Sequence, residues 1–145
     1  MERLLVSACL LGVKCKYSGG ANTLPQDVLK ALGDKYELVP VCPECDGGLP
    51  TPRVPSERRG ERVINKAGED VTAQYRLGAE KALGTAEEKG CLRALFKERS
   101  PSCGAGEIYD GSFTKTLIPG DGVTAELLKE KGIKIYGESR INELL

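Results

Sequence analysis

The chemistry open to this sequence centres on sulfur. Cysteines stand at Cys9, Cys15, Cys42, Cys45, Cys91 and Cys103, and the chain has no histidine. Without imidazole there can be no Ser-His-Asp triad, no Cys-His nucleophile pair, no histidine metal site and no histidine pH switch. A metal must then be held by Cys, Asp or Glu. A proton must be moved by a carboxylate, Lys, Tyr or Cys. Cys42-Pro43-Glu44-Cys45 is a C-x-x-C. A redox pair of that kind opens a helix, whose amino end lowers the thiolate pKa. The following Asp46-Gly47-Gly48-Leu49-Pro50 reads as non-helical, which speaks against a thioredoxin-like pair. A structural zinc held by Cys9, Cys15, Cys42 and Cys45 is an alternative, since thiolates suit zinc. The spacing of Cys9 and Cys15 is nevertheless not that of a zinc knuckle. Glu44 lies inside the cysteine loop, where a partly desolvated carboxylate is a natural proton carrier. Ser100 and Ser102 put hydroxyls beside Cys103. Arg53, between Pro52 and Val54, is a candidate contact for an anionic or carbonyl-rich substrate. Arg58, Arg59 and Arg62 alternate with Glu57 and Glu61 and read as a solvated face.

These residues need elements to carry them. Arg3–Ala8 reads as a buried strand and Tyr36–Val41 as a second, with Pro40 inside it. Between them Thr23-Leu24-Pro25-Gln26 has the form of a capping box, opening a helix that carries Leu24, Val28, Leu29 and Leu32 and stops at Gly33. Residues 42–62 read as one long loop rich in Pro and Gly, of the kind that is usually functional or disordered. Arg62–Asn65 reads as a short edge strand. Thr72–Lys89 reads as a helix despite Gly78 and Gly84, each of which costs about 1 kcal/mol against Ala. Cys91–Lys97 is the third core strand, and Glu98–Gly106 a second Ser/Pro/Gly loop. Ile108–Leu117 suggests a hairpin around Asp110-Gly111. Asp121 is placed as the cap of a helix running to Lys131, followed by a strand at Ile133–Tyr136 and a short terminal helix at Ser139–Leu145.

Strand and helix alternate along the chain, which predicts an α/β fold. The expectation is one domain over residues 1–145, in three layers. Its centre is a Rossmann-like open parallel sheet with strand order 2-1-3-4. Ligands in such sheets bind beyond the carboxyl ends of the strands. Cys9 and Cys42 directly follow the first and second strands, and Cys103 sits in the loop after the third, so three thiols from distant sequence should converge. Cys91 falls at the buried start of a strand and reads as core. Cys15 and Cys45 stay open.

The 145 residues carry 21 basic and 21 acidic side chains, 40% hydrophobic residues and no tryptophan. Balanced charge argues against nucleic-acid or membrane-surface binding by charge alone. The chain opens without a signal-peptide pattern, and no stretch approaches the roughly 20 apolar residues of a membrane span. A cytoplasmic protein is therefore expected, in which thiols more often mean metal or catalysis than disulfides. Nothing in the sequence specifies an oligomeric state.

Several motifs occur in order over nearly the whole chain. They are Ser7-Ala8-Cys9-Leu10-Leu11-Gly12, Cys42-Pro43-Glu44, Gly47-Gly48-Leu49-Pro50-Thr51-Pro52-Arg53, Gly68-Glu69-Asp70-Val71-Thr72, Lys97-Glu98-Arg99-Ser100-Pro101-Ser102-Cys103-Gly104 and Ile108-Tyr109-Asp110-Gly111-Ser112-Phe113. Together they resemble the thiouracil desulfidase family. The resemblance implies a non-redox enzyme whose [4Fe-4S] cluster is held by three cysteines, leaving one iron free to bind the sulfur of a thiolated pyrimidine. Carried over by motif, the implied ligands are Cys9, Cys42 and Cys103, the acid–base residue is Glu44, and the active-site serine is Ser100. Arg53 and Ser102 are the candidate substrate contacts. The implied products are the oxo-pyrimidine and sulfide. The competing reading remains a zinc-stabilised binding module without catalysis.

Overall fold

Leu4, Leu5 and Val6 are all fully buried, which places their strand at the centre of a sheet covered on both faces. The computed structural model describes residues 1–145. The elements, in order, are β1 (Glu2–Ser7), α1 (Gln26–Lys35), β2 (Tyr36–Val41), α2 (Pro43–Asp46), β3 (Ser56–Arg59) and β4 (Arg62–Asn65). They continue with α3 (Thr72–Lys89), β5 (Arg93–Phe96), β6 (Glu107–Tyr109), β7 (Leu117–Pro119), α4 (Val123–Glu130) and β8 (Lys134–Gly137). A 3₁₀ turn at Ala8–Leu11 follows β1, and a 3₁₀ segment at Glu138–Glu143 stands where the terminal helix was expected.

The central sheet has the order β2-β1-β5-β8, and its strand pairs are parallel. This is the expected 2-1-3-4 order, counted over the four core strands. Alternation divides the core. Leu4, Val6 and Leu95 pack with Leu32 of α1 and Leu144 on one face. Leu5, Ala94, Phe96 and Ile135 pack with Ala86 of α3 and Leu128 of α4 on the other. Cys91 belongs to this second cluster, as expected of a core thiol. β2 is an edge strand, so Pro40, which is exposed, removes no ladder hydrogen bond from the interior.

Local details depart from the sequence reading. Thr23 does not cap α1: Pro25 holds the N-cap position without a side-chain bond. Leu24 N–H donates instead to Leu10 O at 2.9 Å, drawing the segment onto the first loop. Gly33 does not stop the helix, which runs to Lys35 and passes straight into β2. Asp121 is not the cap of α4 either; Gly122 holds that position, and Asp121 Oδ1 accepts from Gly106 N–H and from Lys129 Nζ. The expected long loop holds α2 and a separate antiparallel ribbon, β3–β4, rather than an edge strand of the main sheet. Arg58 is not solvated. Only 9% exposed, it donates to Gly60 O, Asp121 O and Glu126 Oε2, tying the ribbon to α4. β6 and β7 form the expected hairpin.

Two glycines bring α2 against α3. A Cβ at Gly78 would lie 1.8 Å from Pro43 O, and one at Gly47 would lie 2.0 Å from Gln74 O. Gly84 meets nothing within 4 Å. Gly78 therefore lowers helix propensity but permits a close approach, whereas Gly84 only lowers propensity. Gly78→Ala is expected to destabilise the fold by about 3 kcal/mol, the upper end of overpacking costs, because backbone must move. A thermal midpoint within experimental error of the parent would show that α2 can yield. No helix is long and apolar enough to cross a membrane.

Candidate active site

The carboxyl ends of β2, β1 and β5 are adjacent, and the segments leaving them build the site. β1 ends in the 3₁₀ turn that carries Cys9, closed by Gly12 at φ +98°. Asn22 Nδ2 donates to Cys9 Sγ at 3.4 Å. Cys42 is the N-cap residue of α2, and Pro43 occupies the first turn, where its missing N–H costs nothing. The C-x-x-C thus does open one helical turn, contrary to the sequence reading. That turn ends at Gly47 and is held by the α3 contact, which local sequence does not reveal.

The third loop is organised by hydrogen bonds. Ser100 Oγ accepts from the backbone N–H groups of Ser102 (3.2 Å) and Cys103 (3.0 Å). Pro101 O accepts from Val123 N–H, and Ser102 O accepts from Thr124 N–H and Ala125 N–H. The otherwise unpaired donors at the start of α4 are thereby satisfied by the loop that presents Cys103. Lys97 N–H donates to Ser7 Oγ at 2.9 Å, joining the end of β5 to the end of β1.

Cys9, Cys15, Cys42 and Cys103 line one cleft of about 510 Å³, together with Glu44, Arg53, Ser100 and Ser102. The expected site residues are thus brought together. Of the two cysteines left open, Cys15 lines the cleft, whereas Cys45 does not and instead sits 3.3 Å from Thr51 Oγ1. Burial raises the pKa of the Cys9, Cys15 and Cys42 thiols, and pushes that of Cys103 up to about 12. Without metal these groups hold their protons at neutral pH, so thiolate ligation must release protons.

Glu44 is held from three sides. Its Oε1 accepts from Tyr75 OH at 2.8 Å and Arg53 Nε at 3.2 Å. Its Oε2 accepts from Ser102 Oγ at 3.1 Å. Ser100 Oγ lies 3.0 Å from Ser102 Oγ, so Ser100 reaches Glu44 through Ser102 rather than directly. Arg53, expected to grip substrate, makes its contacts inside the protein: Glu44 Oε1, Pro50 O, Thr51 Oγ1, Cys45 Sγ and Cys15 O. Its side chain is only 7% exposed. Tyr75 lies on the buried face of α3. It is fully buried, which pushes its phenol pKa up and keeps it a donor. A polar tip on an otherwise apolar face needs a buried partner, and that was the available signal.

The donor set can be tested against the implied groups. No three His, Cys, Asp or Glu side chains stand close enough to hold a single ion. A tetrahedral zinc needs its thiolates gathered around one point at about 2.3 Å. A four-iron cluster takes its thiolates at separate irons, and soft thiols spread around one cleft fit it.

A parallel α/β sheet with thiols, a clamped carboxylate and hydroxyls over one cleft at its carboxyl edge defines a cysteine-lined α/β enzyme. The chain belongs to the 2-thiouracil desulfurase family, whose model matches residues 4–140. It is 41% identical to a Bacillus subtilis (strain 168) protein described as uncharacterized protein YbbK, over 98% of this chain and 99% of that protein. It is also similar to the solved structure of the [4Fe-4S]-dependent thiouracil desulfidase TudS. The identity is 46% and the TM-score 0.95, covering 99% of this chain and 95% of that one.

Proposed function

We propose that this protein converts a thiolated pyrimidine, a thiouracil-type base or nucleoside, to the oxo form by non-redox hydrolysis that releases sulfide. The observation that carries the reading is Glu44, held by Tyr75, Arg53 and Ser102 in the cleft that also gathers Cys9, Cys42 and Cys103. Those three cysteines are the ligands we assign to a [4Fe-4S] cluster. When bound, such a cluster supplies a thiophilic Lewis-acid iron at the position that no cysteine fills. The balance is C=S plus water giving C=O plus hydrogen sulfide, with no electrons gained or lost. A reducing, cytoplasmic setting suits thiols kept unpaired, as all six are here.

The protein's own part is the handling of water and protons. A carboxylate offers about four acceptor positions over its two oxygens. Oε1 already accepts two donors and Oε2 accepts one, so Oε2 has the remaining capacity. Oε2 is therefore the atom we assign to take the proton of the attacking water and return it to the departing sulfur. Ser100 supports it by orienting Ser102. Arg53 acts as a positioning residue, holding Oε1 away from this task.

Anaerobic reconstitution with iron and sulfide, followed by sulfide release from 2- and 4-thiouracil, tests the reading. About four irons per chain and stoichiometric sulfide are expected. A chain that binds no iron, or a loaded chain that releases no sulfide, overturns it. Tyr75→Phe removes one hydrogen bond and keeps the packing. It is expected to lower kcat about ten- to a hundredfold with KM and iron content little changed, since a hydrogen bond to a charged group contributes roughly 1.5–3 kcal/mol. Parent-like kcat in that variant would show that Arg53 and Ser102 alone hold Glu44.

A further inference from the structure

The hairpin β6–β7 reaches the same cleft from outside the cysteine loops, and its tip is in an unusual conformation. Phe113 has φ +59° and Lys115 has φ +60°. A bulky side chain rarely enters this region unless its surroundings impose it, and such residues gather at ligand sites. Here the surroundings do impose it. Glu57 Oε1 accepts from both Phe113 N–H (3.1 Å) and Gly111 N–H (2.9 Å). Two residues further along β3, Arg59 Nε donates to Gly111 O at 2.7 Å. Gly111 is at φ +95°, and a Cβ there would lie 2.2 Å from Arg59 Cγ. Asp110 Oδ1 accepts from Ser112 N–H and Oγ, closing the turn on itself.

The result of this clamp is that Phe113 lines the cleft while remaining half-buried. The other phenylalanine, Phe96, lies in the core at 1% exposure, and the chain has no tryptophan. Around the thiols the groups engaged with one another are carboxylate, guanidinium and hydroxyl. They can orient a heterocycle by its edges; the flat faces in the cleft belong to Tyr17, Tyr109 and Phe113, and of these only Phe113 is held on a left-handed backbone. We propose that Phe113 supplies the face that stacks on the pyrimidine ring. Glu57 is then a positioning residue that holds the ring's backbone in its left-handed conformation. This assignment rests on the cleft being the thiopyrimidine site and adds a specificity determinant to it.

Steady-state kinetics of the reconstituted enzyme with 4-thiouracil test the assignment. Phe113→Ala is expected to raise KM roughly tenfold, the usual scale for losing an aromatic–base stack, with kcat altered far less. Phe113→Leu keeps apolar volume without a π face and should show the same rise, so the test survives if the alanine variant folds poorly. Glu57→Ala should raise KM in the same sense. Phe113→Trp should keep a parent-like KM and introduces the chain's sole indole, whose fluorescence should be quenched on titration with uracil. An unchanged KM in Phe113→Leu, or an unquenched indole in Phe113→Trp, overturns the assignment. Failure of the parent enzyme to release sulfide would instead sink the desulfidase reading, and the uracil titration would still report on Phe113.

Discussion

Cys9→Ser, Cys42→Ser and Cys103→Ser are each expected to come out of anaerobic reconstitution with little or no iron and no sulfide-releasing activity. A hydroxyl is a far poorer iron ligand than a thiolate, and a cluster held at three points has no redundant ligand. Cys91→Ala is the matched control. Its thiol lies in the apolar cluster with Leu5, Ala94 and Phe96, so removing it should cost stability through a small cavity and leave iron content unchanged. Cys45→Ser should also retain iron, since Cys45 does not line the cleft. Cys15→Ser is the discriminating variant. Cys15 does line the cleft, so loss of iron there would replace the three-cysteine assignment with a four-cysteine one and leave no open iron. Iron and acid-labile sulfide assays, with the visible absorbance of the loaded protein, decide between these outcomes.

Glu44→Gln is expected to keep the cluster and lower kcat for sulfide release by about 10²- to 10⁴-fold, the usual contribution of a positioned acid–base group. The amide keeps the shape of the side chain. Its carbonyl oxygen can still accept from Tyr75 and Arg53, while its nitrogen replaces Oε2, the atom with unfilled acceptor capacity. The variant therefore removes the proton acceptor and keeps the Tyr75 and Arg53 bonds, while Ser102 Oγ must turn to accept from the amide. Tyr75→Phe keeps the proton acceptor and removes one bond of the clamp, and its effect should be smaller. If Glu44→Gln turns over normally, Glu44 is not the proton carrier. If it loses iron instead, Glu44 acts on the cluster's binding rather than on the reaction.

Much of the fold follows from short-range pattern. Alternating and continuous apolar runs mark the four core strands, and their order places Cys9, Cys42 and Cys103 at one edge. Element ends were less legible because they depend on tertiary partners. Gly33 lies in open space and does not end its helix. α2 exists where Pro and Gly suggested only loop, because Gly47 and Gly78 let two backbones meet. Arg58 looked like one member of a solvated charge run, yet its partners are Asp121 and Glu126 on the far side of the chain sequence.

The site divides along the same line. Residue types alone, with no histidine in the chain, confined metal ligation to Cys, Asp or Glu and proton transfer to a carboxylate, Lys, Tyr or Cys. Apolar patterning marked the core strands, and the parallel order expected of such a fold put the loops carrying Cys9, Cys42 and Cys103 at one edge, as the structure does. Tertiary structure alone decided what each side chain does there. The donors on Glu44 come from positions 9, 31 and 58 residues away in Arg53, Tyr75 and Ser102. The clamp on Phe113 comes from Glu57, 56 residues away. Hydrogen bonds of this kind depend on distances of about 3 Å between groups that no local pattern relates. Periodicity specifies which face of an element is buried, and only the packed chain specifies which polar groups then meet.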